Sequence, residues 1–331
     1  MEVNSRTYPE ASQRRFAAYA WFVTALTLAV ILWGAFVRAS KSGDGCGAHW
    51  PLCNGSILPD PQSAKTLVEF AHRATSGVAF LLVVGLCVWA FRAFGRGHAV
   101  RAAAAASGFF IVTESLIGAG LVLLRLVGGN ASVARAVYLS VHLVNTFLLV
   151  AALALTAWWA VRGVAERPRL FEFFRGRVGL ALLGSLALGV SGAVAALGAT
   201  LFSENGVTAD IEGMSAAARL LFSLRNYMLH PALAVLVGAY LIYFALSTLK
   251  VSAELWVRRW ARSVLALVAV QFAAGLLNAA LLAPVWLQIV HLLLADLLWL
   301  ALVLLSAASL ARHETHAEEL ESVELRPAVE I

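Results

Sequence analysis

Four histidines lie inside apolar stretches of this chain, each a few residues from the start of its stretch: His72, His142, His230 and His291. Neutral imidazole is a common ligand of haem iron, and a haem with two axial histidines takes them from facing helices. One such histidine would more often be a packing residue bonded to a carbonyl. Four at equivalent depth indicate two pairs of iron ligands, because ionisable groups in a membrane mark functional positions.

The composition shows which elements must position these histidines. Of the 331 residues, 61% are hydrophobic and 13% charged, whereas soluble domains carry about 25% charged residues. Since about 20 apolar residues suffice to cross a bilayer, the sequence predicts eight transmembrane helices, at residues 17–38, 66–92, 101–125, 136–162, 176–200, 222–248, 257–282 and 286–310. The predicted fold class is therefore an all-α integral membrane protein.

Positive charge predicts the orientation of these helices. Arginine and lysine are concentrated in the segments on the side of the two termini, so the positive-inside rule places both termini in the cytoplasm. All four histidines then lie in the outer part of the membrane. The net charge of +6 follows from this asymmetry and gives no reason to expect nucleic acid. Residues 311–331 are polar and are predicted to form a disordered cytoplasmic tail.

An internal duplication is the simplest account of the two histidine pairs. A shift of 157 or 158 residues lays the first half on the second, placing His72 on His230, Glu114 on Gln271 and Gly118 on Gly275. The histidines at 142 and 291 match only after a gap. We therefore expect two tandem four-helix bundles, residues 1–162 and 176–310, related by a pseudo-two-fold axis along the membrane normal.

The loop after the first helix contains Cys46 and Cys53 with six residues between them. On the oxidising side of a membrane, two such cysteines most simply form a disulfide. The disulfide could be structural, closing a short loop, or it could accept electrons from an external thiol carrier. A zinc site is disfavoured because only His49 lies near enough in sequence to join the two thiols.

Glu69 stands three residues before His72, on the same helical face. A carboxylate near an imidazole can orient it, transfer protons or stabilise a charged intermediate. The alternative is an ion pair with Arg73, four residues after Glu69, and the spacing does not separate the two. The second half has Tyr227 at the corresponding position. The half with Glu69 is therefore the better candidate for catalysis, and the other half for a static cofactor.

Arginines near the outer boundary and glycines on the fifth helix each permit two interpretations. The guanidinium groups of Arg38, Arg73, Arg125 and Arg225 could bind haem propionates, or they could be ordinary helix-end arginines. The glycines, which include Gly189 and Gly192, could allow close helix packing or make room for a flat macrocycle.

These motifs together resemble the haem A synthase family. They are the loop Cys-Gly-Ala-His-Trp-Pro-Leu-Cys-Asn-Gly at 46–55, the segment Glu-Phe-Ala-His-Arg at 69–73, and three further membrane histidines. The resemblance covers about residues 17–310. Some relatives also carry cysteines between helices five and six, but residues 201–221 contain none. Any thiol relay would therefore use Cys46 and Cys53 alone.

The resemblance implies an activity and a role for each site residue. The enzyme would oxidise the ring D methyl group of haem O to a formyl group by two hydroxylations, supplying haem A to cytochrome oxidase. His230 and His291 would ligate a haem b cofactor, His72 and His142 would bracket the substrate haem, and Glu69 would be the catalytic acid. Expected partners are haem O, membrane lipid, haem O synthase and an external thiol or quinol donor, in the plasma membrane.

Two other classes of protein would also use membrane histidines. A di-haem cytochrome b that only transfers electrons explains all four histidines but explains neither Glu69 in one half nor the cysteine loop. A transporter with parallel repeats would have broken helices at the middle of the membrane. Histidines near the outer face count against it.

Overall fold

The computed structural model describes residues 10–60, 63–162, 175–202, 215–226 and 229–324. Over these residues it contains nine α-helices: α1 (Glu10–Ala39), α2 (Ala64–Ala93), α3 (Ala99–Leu123), α4 (Val133–Arg162), α5 (Gly176–Leu201), α6 (Ala216–Asn226), α7 (Leu229–Val251), α8 (Leu255–Ala280) and α9 (Val285–Glu324). All except α6 are long and apolar enough to cross a membrane, α9 through its first 26 residues, Val285–Leu310. The prediction of an all-α protein with eight membrane helices is confirmed.

The sixth predicted helix differs from the one observed. The prediction began it at residue 222, but the described chain has the separate helix α6 up to Asn226, and α7 begins at Leu229. Pro231 stands in the first turn of α7, where its missing N–H breaks no helical hydrogen bond. Ala218 and Leu221 of α6 pack with Ala136, Leu197 and Phe202, so α6 covers one end of α4 and α5.

The prediction of a disordered tail from residue 311 is wrong for its first part, because α9 continues to Glu324. Residues 311–324 consist largely of alanine, glutamate and other good helix formers, and neither glycine nor proline interrupts them before Pro327. Sequence polarity identified the end of the apolar stretch but not the end of the helix.

The ends of α1, α3, α5 and α8 lie together at one end of the molecule. Gly43, after α1, approaches Val127 of the α3–α4 connection. Nη1 of Arg38, at the end of α1, donates to Thr200 Oγ1 of α5 at 2.7 Å, and Nη2 donates to Gln288 of α9 at 3.3 Å. We call this end the disulfide end, because Cys46 and Cys53 lie in the α1–α2 connection.

The helices pack in two closed rings. In the first half, α1 packs on α2, α2 on α3, α3 on α4, and α4 on α1; in the second half, α5, α7, α8 and α9 do the same in that order. Helices α4 and α9 are the most buried and pack on each other. Trp299 stacks on Phe147 and donates from Nε1 to its carbonyl at 2.7 Å. The core therefore lies between the two rings.

Candidate functional site

Each of the four membrane histidines packs against a glycine of a neighbouring helix. A Cβ atom built on each glycine would approach the imidazole ring closely. The pairs and their shortest distances are Gly34 with His72 (2.8 Å), Gly118 with His142 (3.9 Å), Gly192 with His230 (3.0 Å) and Gly275 with His291 (3.2 Å). Three of these distances are shorter than ordinary van der Waals contact. A larger residue at those three glycines would displace the imidazole, so the glycines help to set where each ring lies.

The glycine–histidine pairs recur with the sequence repeat. The shift that lays His72 on His230 also lays Gly34 on Gly192, and the shift that lays Glu114 on Gln271 lays Gly118 on Gly275. The two interpretations of the glycines on α5 also separate here. Gly189 packs against Leu143 of α4, where its missing side chain permits close helix packing, whereas Gly192 makes room for His230.

In the second half, the two histidines face each other. Their ring centroids are 6.4 Å apart and their planes are nearly perpendicular, at 87°. Ser191 Oγ lies 3.0 Å from Nδ1 of His230 and donates to the Leu188 carbonyl at 2.8 Å. Since that donation uses the hydroxyl hydrogen, Oγ accepts from Nδ1–H, which leaves Nε2 of His230 with a free lone pair. A cavity of about 280 Å³ with mostly apolar walls opens beside His230.

In the first half, the imidazole of His142 lies beside a carboxylate. Its Nδ1 lies 3.1 Å from Oε1 of Glu114 on α3, and Glu114 also accepts from Asn145 and Thr146. His72 interacts electrostatically with both His142 and Glu114. The structure therefore brings the two first-half histidines and one half-buried acid together.

Glu69 binds the disulfide loop, which is the segment between α1 and α2 that contains Cys46 and Cys53. It is 3% exposed, and its Oε2 accepts the N–H of Cys46 at 2.8 Å while its Oε1 pairs with Arg73 Nη2 at 2.5 Å. The ion pair with Arg73, one of the two alternatives for Glu69, is present. Arg73 also donates to the carbonyls of His49 and Leu52. These two charged side chains hold the loop against α2.

The predicted disulfide between Cys46 and Cys53 is present, with the Cα atoms 4.4 Å apart. Both side chains are buried, at 0% and 1% exposure. A thiol carrier outside the membrane can reach this disulfide only if the loop leaves α2. The burial therefore favours the structural interpretation of the pair in the folded state.

Two of the arginines considered as propionate ligands are engaged elsewhere. Arg38 donates to the Ala196 carbonyl, Thr200 and Gln288, and so joins α1 to α5 and α9. Arg73 binds the disulfide loop. The side chain of Arg225 lies outside the described residues.

Sequence reasoning missed two functional candidates. Glu114 served only as a marker of the repeat, although it touches His142. Asp296, five residues after His291, is 0% exposed, and neither of its carboxylate oxygens has a hydrogen-bond partner among the described residues. The signal was available, because any ionisable residue inside an apolar helix is a candidate by default.

Comparison with known proteins agrees with the resemblance of the motifs. Residues 17–303 match the COX15-CtaA family model, described as cytochrome oxidase assembly protein. A protoheme IX farnesyltransferase from Thermus thermophilus is 48% identical over 308 residues, which are 92% of this chain and 50% of the relative. This chain therefore spans about half the length of that relative.

Shorter matches carry a different name. A heme A synthase from Geobacillus kaustophilus is 38% identical over 128 residues, 38% of this chain and 39% of the relative. One from Symbiobacterium thermophilum is 45% identical over 100 residues, 30% of this chain and 32% of the relative. The family model covers most of the chain, including all four membrane histidines, Glu69 and both loop cysteines. The chain belongs to the COX15-CtaA family of cytochrome oxidase assembly proteins.

Proposed function

We propose that this protein is a haem A synthase that oxidises the ring D methyl group of haem O to a formyl group. The observation that carries the proposal is the presence of two histidine pairs with unequal surroundings. His142 touches a carboxylate, whereas His291 has Gln271 at the matching position, 3.4 Å from its Nε2. Two pairs with such different surroundings suit one haem that is the substrate and one haem that is a cofactor for its oxidation. The relatives named heme A synthase support the same activity.

The second half fits a haem b cofactor held by His230 and His291. Two imidazoles on opposite sides of one metal, each about 2.0–2.1 Å from it through nitrogen, have ring centroids about 6–6.5 Å apart. The observed centroid distance is 6.4 Å. The free Nε2 of His230 supplies one lone pair, and Nδ1 of His291 is buried without a hydrogen-bond partner among the described residues. A bound haem b would supply a one-electron carrier beside the substrate.

The first half fits the substrate haem O, with His72 and His142 as its ligands and Glu69 as the catalytic acid. His72 has room beside Gly34, and its Nδ1 is buried without a partner among the described residues. Glu69 lies in the same helix, one turn before His72. Its carboxylate would hold or move a proton near the haem edge, and the docked loop would keep water from the reacting methyl group.

The reaction requires two successive insertions of oxygen into C–H bonds of the methyl group. The resulting geminal diol loses water and leaves the aldehyde. When dioxygen supplies the oxygen, each insertion consumes two electrons and two protons, and the second oxygen atom leaves as water. A donor outside the described chain, a quinol or a thiol, must therefore supply the electrons.

The two closed rings of helices support two four-helix bundles, residues 1–162 and 176–310, related by a pseudo-two-fold axis along the membrane normal. The positive-inside rule supports a plasma-membrane protein with both termini, including residues 311–331, in the cytoplasm and the disulfide end outside. The name of the Thermus relative describes farnesyl transfer to protohaem. Because haem O carries a farnesyl-derived chain, that name supports haem O synthase as a partner.

The same name raises farnesyl transfer as a second candidate function. Transfer from a prenyl diphosphate needs Mg²⁺ held by carboxylates, and the chain's four aspartates, at 44, 60, 210 and 296, form no sequence cluster. Farnesyl transfer would also leave the four histidines unexplained. A di-haem cytochrome b explains the histidines but not Glu69.

Reconstitution with haem O separates these functions. Purified protein would be incubated with haem O, dioxygen and a reductant, and the extracted haems separated by chromatography. We expect a haem that carries a formyl group. Unchanged haem O with reversible reduction would identify an electron-transfer cytochrome, and protohaem converted to haem O on addition of a prenyl diphosphate would identify a transferase.

A further inference from the structure

We propose that Glu114 is a positioning residue that makes His142 an electron-rich ligand, and that Gln271 gives His291 the neutral counterpart. The two halves would then hold their haem irons at different reduction potentials, with the first-half iron at the lower one. The inference deepens the proposed function and rests on it in one respect, namely that both halves bind haem.

Glu114 is built into a hydrogen-bonded cluster between α3 and α4. Its Oε2 accepts from Asn145 Nδ2 at 2.6 Å, and its Oε1 lies 2.5 Å from Thr146 Oγ1 and 3.1 Å from Nδ1 of His142. Three groups able to donate therefore converge on one carboxyl group. A carboxylate group offers enough lone pairs to accept from all three.

The orientation of Asn145 confirms that Glu114 accepts. The Asn145 Nδ2 atom also lies 2.9 Å from the Phe110 carbonyl, which can only accept a hydrogen bond. The Asn145 Oδ1 atom in turn accepts from Thr113 at 2.6 Å. The amide group therefore has its NH₂ directed toward Phe110 and Glu114, because turning it around would place its oxygen against the Phe110 carbonyl and the Glu114 carboxylate, which only accept.

The carboxylate 3.1 Å from Nδ1 favours the tautomer of His142 that carries its proton on Nδ1. Nε2 is then the nitrogen with the free lone pair, and it lies on the side of the ring that faces Gly118. Hydrogen bonding of a ligating histidine to a carboxylate fixes its orientation and raises its basicity. A more basic ligand stabilises the oxidised iron over the reduced iron, which lowers the reduction potential.

The second half contains the matched neutral residue. Gln271 follows Glu114 at the repeat distance and approaches the ring of His291, with its Nε2 3.4 Å from Nε2 of His291. The Gln271 atom that approaches His291 is the amide nitrogen, which can only donate, so Gln271 cannot raise the basicity of this imidazole as a carboxylate does. The chain thus carries the Glu-to-Gln exchange as a natural difference between its halves.

An anaerobic spectroelectrochemical titration of the purified protein loaded with haem O tests this inference. We expect two one-electron components in the wild type. Glu114→Gln should raise the reduction potential of the lower component and leave that of the higher component unchanged. Gln271→Glu should lower the reduction potential of the higher component. Glu114→Gln should also release haem O about 10–100-fold more readily, the usual cost of losing such a partner. Glu114→Asp, which keeps the carboxylate, should retain part of the separation.

Thermal unfolding of each variant separates positioning from folding. If Glu114→Gln fails to fold, Gln271→Glu tests the same rule in the other half. The inference would be overturned if neither variant changed a reduction potential. It would also be overturned if one variant changed the potentials of both haem components together. Haem A formation is not measured in this titration. In the separate reconstitution with haem O, absence of haem A from the wild type would refute the proposed function and leave the two potentials measurable. Failure of the wild type to bind two haems would refute both the function and this inference.

Discussion

Glu69 and Glu114 are both carboxylates in apolar helices, but their neighbours give them different tasks. Glu69 accepts a loop N–H and pairs with Arg73, so it joins the disulfide loop to α2. Glu114 touches the imidazole of His142. If the first half binds haem O, Glu69 lies by the loop that covers the site, and Glu114 acts on the haem through its contact with the ligand His142. At the scale of single residues, the chemistry of the proposed site depends on this division.

Glu69→Gln keeps the shape of the side chain and removes its charge. We expect haem b to stay bound and haem A formation to fall by on the order of 10²-fold, as losses of general acid–base catalysis do. The measurement is the haem A yield of the reconstituted protein together with its b-type spectrum.

Arg73→Gln is the matched control, because it breaks the same ion pair and keeps the Glu69 carboxylate. A smaller loss of haem A formation in this variant would support catalysis by Glu69. Equal losses in the two variants, or a wild-type yield from Glu69→Gln, would show that Glu69 acts only by anchoring the loop.

Asp296 allows a prediction about stability. It stands five residues after His291, at the place that Phe147 takes after His142. Because neither of its oxygens is hydrogen-bonded within the described chain, Asp296→Leu should stabilise the protein by about 1–3 kcal/mol, the cost of an unsatisfied buried polar group. Thermal unfolding in detergent measures this. Asp296→Asn, which stays polar, should raise the unfolding midpoint less than Asp296→Leu does. A midpoint for Asp296→Leu below that of the wild type would reveal a partner for the carboxyl group.

At the scale of elements, the disulfide loop and α2 form one unit. The Thr66 hydroxyl donates to the Gly45 carbonyl at 3.0 Å, and a Cβ atom on Gly45 would lie 2.5 Å from the backbone of Lys65. Together with Glu69 and Arg73, these contacts press the loop onto the start of α2. The loop therefore covers this end of the helix and buries the disulfide.

Thiol alkylation tests how firmly this unit is closed. In the folded protein, Cys46 and Cys53 should not react, and denaturation without reductant should expose Cys87 alone, the one free cysteine of the chain. Arg73→Gln should speed reduction of the disulfide in the folded protein, because the loop loses its bonds at His49 and Leu52. Two reactive thiols at Cys46 and Cys53 before any reductant would contradict the account.

Elements and contacts differ in how far the sequence predicts them. Apolar length and charge predicted all eight membrane helices, since a bilayer demands about 20 such residues. The separation of α6 from α7 was missed, because the prediction ran one helix through 222–248 although Arg225, Asn226 and Pro231 interrupt the apolar pattern near its start. The contact between Glu114 and His142 depends on how α3 and α4 are rotated against each other. Spacing along one helix carries no information about that rotation.

At the scale of the whole molecule, α4 and α9 join the two rings of helices. Trp299 binds the Phe147 carbonyl within the core, and Arg38 joins α1 to α5 and α9 at the disulfide end. These contacts fix one ring against the other at two levels. A fixed separation between the two histidine pairs suits electron transfer from a permanent haem to a substrate haem.

The haems extracted from the purified protein test this division of labour most directly. Wild-type protein supplied with haem O should yield haem b and haem A. The double variant His230→Ala with His291→Ala should lack haem b, whereas His72→Ala with His142→Ala should keep haem b and contain no haem A. Haem A from the variant without His72 and His142, or a full haem b content in the variant without His230 and His291, would contradict the account.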